Sequence, residues 1–347
     1  MTEKEPLRVA LVGCGRFGVH FGGVIVEEDV GMVITALASR SESSRDHAHE
    51  ALGKDLPAFP SLEALLAEAP DLIGAVVLTS ANFQHRDQTI AAARAGKHVF
   101  CEKPMAITAD DCRRMVEAAR ENDVRLMVGH KRRLRPAWKR LTDIGHSGEI
   151  GRPVAINING WHTHRALPKW WTTWGEGGGP LHATGVHDID YMNAVMGEPA
   201  WVSAVTGPKF HSGTEYPDTI WVRIGFQSGA IGGLQVSFLY APKGFNDSFH
   251  VQLLGTDGAA LLERCGADRR ELCWGREDET LYRESFVCTA NPAYVEELSS
   301  FARWVKEGAT PVLTWREGWR TVQMMQAAYR SAEAGGVMIV LEELPWP

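Results

Sequence analysis

The chain has 347 residues, a net charge of −7, and ordinary shares of hydrophobic (44%) and charged (23%) residues. That length exceeds what one growing core accommodates, so two domains are expected. The negative charge argues against a broad nucleic-acid or anionic-membrane surface, and no apolar run reaches membrane-spanning length.

The opening stretch MTEKEPLR lacks the apolar core of a signal peptide, so a cytoplasmic protein is expected. Leu7–Val12 then reads as a buried strand, followed at once by Gly13-Cys14-Gly15-Arg16-Phe17-Gly18 and a helix over 17–28. G-x-G-x-x-G between a strand and a helix is the dinucleotide fingerprint. The first glycine permits the turn, the second admits the pyrophosphate, and the third lets helix and strand pack closely. The next strand, 33–38, ends at Ser39-Arg40-Ser41. An NAD enzyme places a carboxylate there for the ribose 2′-hydroxyl, whereas two hydroxyls around a guanidinium suit a 2′-phosphate. NADP(H) is therefore preferred over NAD(H).

Alternation continues with a strand over 73–79, a helix over 84–95 closed by Gly96, and a strand over 98–101. A helix follows from Thr108 to about Asn122, then a strand over 124–128. This pattern means a doubly wound parallel sheet, placed here in residues 1–128. The loops 79–85 and 101–104, with Thr79, Asn82, His85, Glu102 and Lys103, would border the cofactor. Lys103 precedes Pro104, which fixes its own φ and pushes the lysine towards extended geometry at a strand end.

From 129 onward the texture changes. The basic run 130–135 reads as a helix approach or as a balance for a phosphate-bearing ligand. Strands near 152–160, 201–206, 219–227, 230–240, 248–254 and 259–263 imply an antiparallel sheet, with hairpin signals at Ser228-Gly229 and Asp257-Gly258. Two helices, near 292–307 and 314–334, follow. One apolar sheet face needs a cover, and a second copy of the chain would supply it as a homodimer or homotetramer. Between 161 and 196 lie four tryptophans, a triple glycine and a helix expected from Pro180. Ala183, His187 and Tyr191 would share one face of that helix by i,i+4 spacing. His187 is the candidate titrating group. Trp161, Trp170 and Trp171, with Arg165 and His182, are candidates for holding a substrate, since indoles serve either as core or as sugar platforms. Six scattered cysteines without a C-x-x-C pair suit reduced, buried thiols. The H-x-H pairs at 47/49 and 162/164 lack a third ligand, so no metal is expected.

Together GCGRFG (13–18), LTSANFQH (78–85), AGKHVFCEKPMA (95–106), VGHKRR (128–133), GEIG (148–151) and GGGPLHATGVHDID (177–190) resemble the Gfo/Idh/MocA family of oxidoreductases, named for glucose–fructose oxidoreductase, inositol dehydrogenase and rhizopine catabolism. The resemblance implies an N-terminal Rossmann domain and, over 129–347, an α/β domain with a large open, mainly antiparallel sheet. It implies NAD(P)-dependent chemistry on a sugar or cyclitol, with Lys103 and His187 as the catalytic pair. Family dehydrogenases often carry Asp four residues before the histidine, where this chain has Ala183. The expected reaction interconverts a secondary alcohol and a ketone. The alternatives are a redox-neutral lyase or hydrolase that recycles its bound nicotinamide, and a non-catalytic nucleotide- and sugar-binding sensor.

Overall fold

The computed structural model describes residues 5–346 apart from 164–168, 212, 240–248, 266–268, 278–279, 288 and 290, and for 161–163 and 239 the backbone alone. The chain divides into two compact units, 1–131 with 291–319, and 132–290 with 320–347.

In the first unit β1 (Leu7–Val12), α1 (Arg16–Glu27), β2 (Met32–Ala38), α2 (Glu42–Leu52), β3 (Ala58–Phe59), α3 (Leu62–Glu68), β4 (Ala75–Leu78), α4 (His85–Arg94), β5 (His98–Glu102), α5 (Ala109–Glu121) and β6 (Leu126–Gly129) alternate. The strands pair in parallel in the order β3-β2-β1-β4-β5-β6. The order reverses between β1 and β4, which is where an open α/β sheet gathers its ligands beyond the carboxyl ends of the strands. β4 is buried throughout (Ala75, Val76, Val77, Leu78), as a sheet covered on both faces requires. Side chains start three of the helices: Ser41, Ser61 and Thr108 accept from the amides of Ser44 (3.4 Å), Ala64 (3.1 Å) and Asp111 (3.1 Å). Gly96, at φ +69°, follows α4 in the left-handed conformation that favours glycine.

The second unit opens with α6 (Pro136–Ser147), β7 (Pro153–Thr163), α7 (Trp174–Gly177) and α8 (Val186–Met196). Seven strands follow: β8 (Pro199–Thr206), β9 (Thr219–Phe226), β10 (Ile231–Leu239), β11 (Phe249–Gly255), β12 (Gly258–Arg264), β13 (Arg269–Arg276) and β14 (Tyr282–Val287). Helices α9 (Asn291–Glu307) and α10 (Trp315–Glu333) and strand β15 (Ile339–Val340) complete the chain. The nine-stranded sheet runs β14-β13-β12-β11-β7-β10-β9-β8-β15, antiparallel except where β7 lies parallel to β10. Strand alternation buries Ile220, Val222 and Ile224 on one face. α6 packs on β12 and β13, and α8 on β7 and β10. Val205, Trp221, Ile231 and Leu254 remain 47–56% exposed.

The division of the chain differs from a single cut at 128/129, because α9 returns to the first unit. Its Tyr294 and Phe301 rings lie edge-on to Phe21 (5.1 Å) and Phe100 (5.8 Å), so aromatic burial draws the helix back. Cys14, Cys101 and Cys112 are buried, and burial pushes the Cys14 thiol up to about 11. Cys265 is exposed, against the expectation of a buried thiol, and Cys288 lies outside the described residues. No described helix is long and apolar enough to cross a membrane. Among the described residues no cluster of His, Cys, Asp and Glu could hold a metal ion.

Candidate functional site

The glycine turn joins β1 to α1, and its three glycines differ in what surrounds them. Gly13 has φ +97°, and a Cβ there would meet the Ser80 backbone nitrogen at 2.5 Å. A Cβ on Gly18 would stand 1.9 Å from the Gly13 carbonyl oxygen. Gly15, in extended conformation at the helix N-cap, has nothing within 4 Å of its would-be Cβ. The first and third glycines therefore close the turn, and the second leaves open space beside the N-terminus of α1. That helix carries no acidic residue in its first turn and receives no side-chain cap, so its amides and dipole stay available for an anion. The chain thus fits the pyrophosphate of a dinucleotide. Arg16 and Phe17 start the same helix and are both exposed. Thr79 braces the turn from β4, its hydroxyl donating to the Gly13 carbonyl (2.8 Å).

At the tip of β2, Arg40 and Ser41 are exposed and Ser39 is partly so. Ser41 Oγ also lies 2.7 Å from Ser43 Oγ. Arg45, one turn into α2, was not legible as part of this corner. Its Nη1 donates to the carbonyls of Ser39 (2.6 Å) and Arg40 (3.2 Å), which fixes the strand tip and adds a second guanidinium.

Beyond β5, Lys103 is partly buried and precedes a cis peptide to Pro104. Its backbone N–H donates to the carboxylate of Glu102, which is 5% exposed. Lys131 Nζ lies 3.6 Å from the other Glu102 oxygen and donates to the Tyr294 hydroxyl. Burial opposes the charge on Lys131, but Glu102, Tyr294 and Glu297 outweigh it and hold its pKa above the ordinary value. His85 is fully buried, with Nδ1 2.9 Å from the Pro104 carbonyl and Nε2 3.1 Å from the Ser80 carbonyl. It ties the loop after β4 to the loop that carries Lys103. Burial lowers its pKa, and a neutral ring donates to one of those carbonyls at a time. Asn82 is buried at the start of the short turn before α4.

In the second unit the expected helix from Pro180 begins as a π-helical turn, Leu181–Gly185, and only then becomes α8. Of the expected trio Ala183, His187 and Tyr191, the tyrosine is fully buried, its hydroxyl donating to the Trp138 carbonyl (2.9 Å). Only His187 of that trio combines partial exposure with a titratable side chain. The triple glycine precedes this turn and is closely surrounded. A Cβ on Gly178 would strike the His182 ring at 2.4 Å and one on Gly179 the Tyr329 hydroxyl at 2.7 Å, so these glycines make room for side chains. The Leu181 amide donates to that hydroxyl (2.8 Å), and the rings of His182 and Tyr329 stack 6.2 Å apart. Trp170 and Trp171 are half-buried and edge-on (5.6 Å), and Tyr216 donates to the Trp171 carbonyl. The side chain of Trp161 and all of Arg165 lie outside the described residues.

The basic run is the clearest correction. Lys131, Arg132 and Arg133 of that run face buried carboxylates rather than solvent, and Arg135 lies over the Trp138 ring (5.7 Å). Arg132 pairs with Asp188, and Arg133 Nε donates to Asp190 (3.0 Å) while its Nη2 reaches the other oxygen of the same carboxylate. Both aspartates are fully buried. Asp190, three residues after His187, is thus held through both oxygens by Arg133. Tyr216, Tyr329 and Tyr294 carry no local sequence motif and emerge only from the fold, and the partners of Lys131 emerge with them.

Residues 7–130 match the family model of the oxidoreductase family with NAD-binding Rossmann fold, and residues 138–261 match the GFO/IDH/MocA C-terminal domain. The chain is 33% identical to the 1,5-anhydro-D-fructose reductase of Ensifer adhaerens over 67% of its own length and 68% of that protein. It is 28% identical to the myo-inositol 2-dehydrogenase of Thermotoga maritima over 94% of this chain and 96% of that one. The WlbA dehydrogenase of Bordetella pertussis, solved with NADH and UDP-GlcNAcA, superposes with a TM-score of 0.83 at 25% identity, over 98% of this chain and 100% of that chain. With the order of its motifs, its six-stranded Rossmann sheet and its nine-stranded second sheet, the chain belongs to the Gfo/Idh/MocA family of sugar and cyclitol oxidoreductases.

Proposed function

We propose that the protein interconverts a secondary alcohol and a ketone on a sugar, cyclitol or related polyol, with NADP(H) preferred over NAD(H). The observation that carries this reading is Lys103, set at the carboxyl end of β5 in the unit whose glycine turn has room for a pyrophosphate. When bound, the nicotinamide supplies hydride transfer. The Lys103 ammonium hydrogen-bonds the reacting oxygen and balances the charge that develops on it. His187 exchanges the proton. Trp170, Trp171 and His182, with Trp161 and Arg165, serve the substrate. The cofactor preference rests on Ser39, Arg40 and Ser41, joined by Arg45, at a strand tip without a carboxylate. We also read the uncovered face around Trp221 and Ile231 as the contact between copies of a cytoplasmic homodimer or homotetramer.

The test follows nicotinamide absorbance with both cofactors against a panel of sugars and inositols. Net cofactor turnover is expected. Product formed without net change would replace this reading with the redox-neutral one, and neither would leave a sensor. With a substrate in hand, Lys103→Ala should lose more turnover than His187→Ala, while both still bind cofactor. A general acid–base group supplies about 10²–10⁴-fold, which scales the weaker lesion. Near-normal turnover in Lys103→Ala would sink the mechanism.

A further inference from the structure

Lys131, Arg132 and Arg133 are consecutive, and none of them was placed in the reaction by the sequence. Lys131 closes the first segment of one unit, and Arg132 opens the other. Within the first unit the Lys131 ammonium is 9% exposed and lies 4.9 Å from the Phe17 ring centroid and 4.4 Å from that of Tyr294. It faces the same Glu102 carboxylate that accepts the Lys103 backbone N–H. One buried cation therefore touches both the second helical residue of the glycine fingerprint and the group that fixes the peptide of Lys103. Within the second unit Arg132 and Arg133 hold Asp188 and Asp190, the residues one and three positions after His187. A guanidinium meets a carboxylate as a planar fork, which fixes orientation as well as distance.

We infer that this triplet positions the two candidate catalytic side chains: Lys131 sets the peptide of Lys103 through Glu102, and Arg132 and Arg133 set the turn of α8 that carries His187. The inference rests on the catalytic reading of Lys103 and His187 given above, but its first readout does not. None of the three touches a reacting atom, so all are positioning residues. Near-identical volume without charge is available in Lys131→Met, and Glu102→Gln removes the other half of the same contact.

The experiment measures hydrogen exchange of the full chain, without cofactor, over peptides spanning 99–106 and 184–192. Steady-state kinetics on the same preparations follow. Lys131→Met should accelerate exchange in 99–106 and leave 184–192 unchanged, and Arg133→Lys should do the reverse, because lysine keeps the charge and loses the fork. Each should lower kcat by about 10- to 100-fold, the scale of a small misplacement of a reacting group, with a much smaller change in KM. The pair Lys131→Met/Glu102→Gln should be no slower than Lys131→Met alone, since both act through one contact. If Lys131→Met folds poorly, Glu102→Gln alone must show the same local exchange. Unchanged local exchange, or exchange raised equally across the whole sheet, overturns the triplet and leaves the catalytic reading standing. Faster local exchange with undiminished turnover overturns the catalytic reading of Lys103 and His187 themselves, and the triplet's role falls with it.

Discussion

Gly15→Ala separates folding from cofactor binding, because affinity should fall far more than stability changes. Gly15 has φ −72° and ψ 178°, a conformation any residue adopts, and its would-be Cβ meets no atom within 4 Å. Alanine there restricts the unfolded chain by about 0.4–1 kcal/mol and strains nothing, but it is a poorer N-cap than glycine by a comparable amount, so stability should stay within about 1 kcal/mol of the wild type. The added methyl fills the space through which a pyrophosphate approaches the amides of α1. Loss of one charge-assisted contact amounts to about 1.5–3 kcal/mol, or roughly 10- to 150-fold in affinity. Gly18→Ala is the control: its Cβ would stand 1.9 Å from the Gly13 carbonyl oxygen, and overpacking of this kind costs about 1–3 kcal/mol or more. Urea melts and fluorescence titration with NADPH and NADH check both quantities. A Gly15→Ala protein that loses as much stability as Gly18→Ala, or that binds both cofactors as the wild type does, would refute the assignment of the turn.

Arg40→Ala should weaken NADP(H) by roughly 10- to 150-fold and leave NAD(H) nearly unchanged. Equal loss for both, or a wild-type preference for NAD(H), removes the 2′-phosphate reading. His85 titrates below its ordinary value of 6.5 in the fold because of burial, and His98 shifts the same way. The unfolded chain therefore binds more protons in that range, and the stability of the neutral rings, fully present above pH 6.5, is lost as pH falls through and below it. Thermal melts between about pH 7.5 and 5.5 should fall with acid, less steeply for His85→Asn, and an identical slope would discard the buried neutral imidazole. Light scattering at micromolar concentration should show a dimer or larger, and Trp221→Glu, which charges the bare sheet face, should shift it towards monomer. A monomeric wild type refutes that interface.

The features legible in the sequence were those made by neighbours along the chain. G-x-G-x-x-G could be assigned because strand, turn and helix start lie within a dozen residues, and the alternation of strands and helices fixed a parallel sheet. The Ser41 and Thr108 caps and the left-handed Gly96 have equally local causes. Contacts between distant residues were not legible: Arg132 and Asp188 are 56 apart, and Arg133 and Asp190 are 57. A run of four basic residues looks solvated until its partners are known. β13 and β14 were missed because RRELCWGR and YRESFV carry charge at or near an edge, where only part of the period-two pattern is apolar. The return of α9 depends on Tyr294 and Phe301 finding Phe21 and Phe100, which no local pattern records. The π turn before α8 was not legible, since no local residue pattern marks a wider turn.

The departure at Ala183 takes on its meaning from these pairs. Two carboxylates do lie within three residues of His187, so the turn is not short of acid groups. Each is fully buried, and each meets a guanidinium from the segment that opens the second unit. Removing one member of such a pair leaves a buried charge unpaired, which is strongly destabilising, so Asp188 and Asp190 are committed to structure before they can serve the reaction. Asp190, gripped through both oxygens by Arg133, is a poor stand-in for a carboxylate presented to an imidazole, and Asp188 is met by Arg132 at Oδ1. On the proposed mechanism, the proton work near His187 falls to the histidine itself, and the charge that develops on the substrate oxygen falls to Lys103. Lys103 is held by a buried acid on its own amide, so the demand on the lysine and the care taken to fix its peptide are two sides of one arrangement.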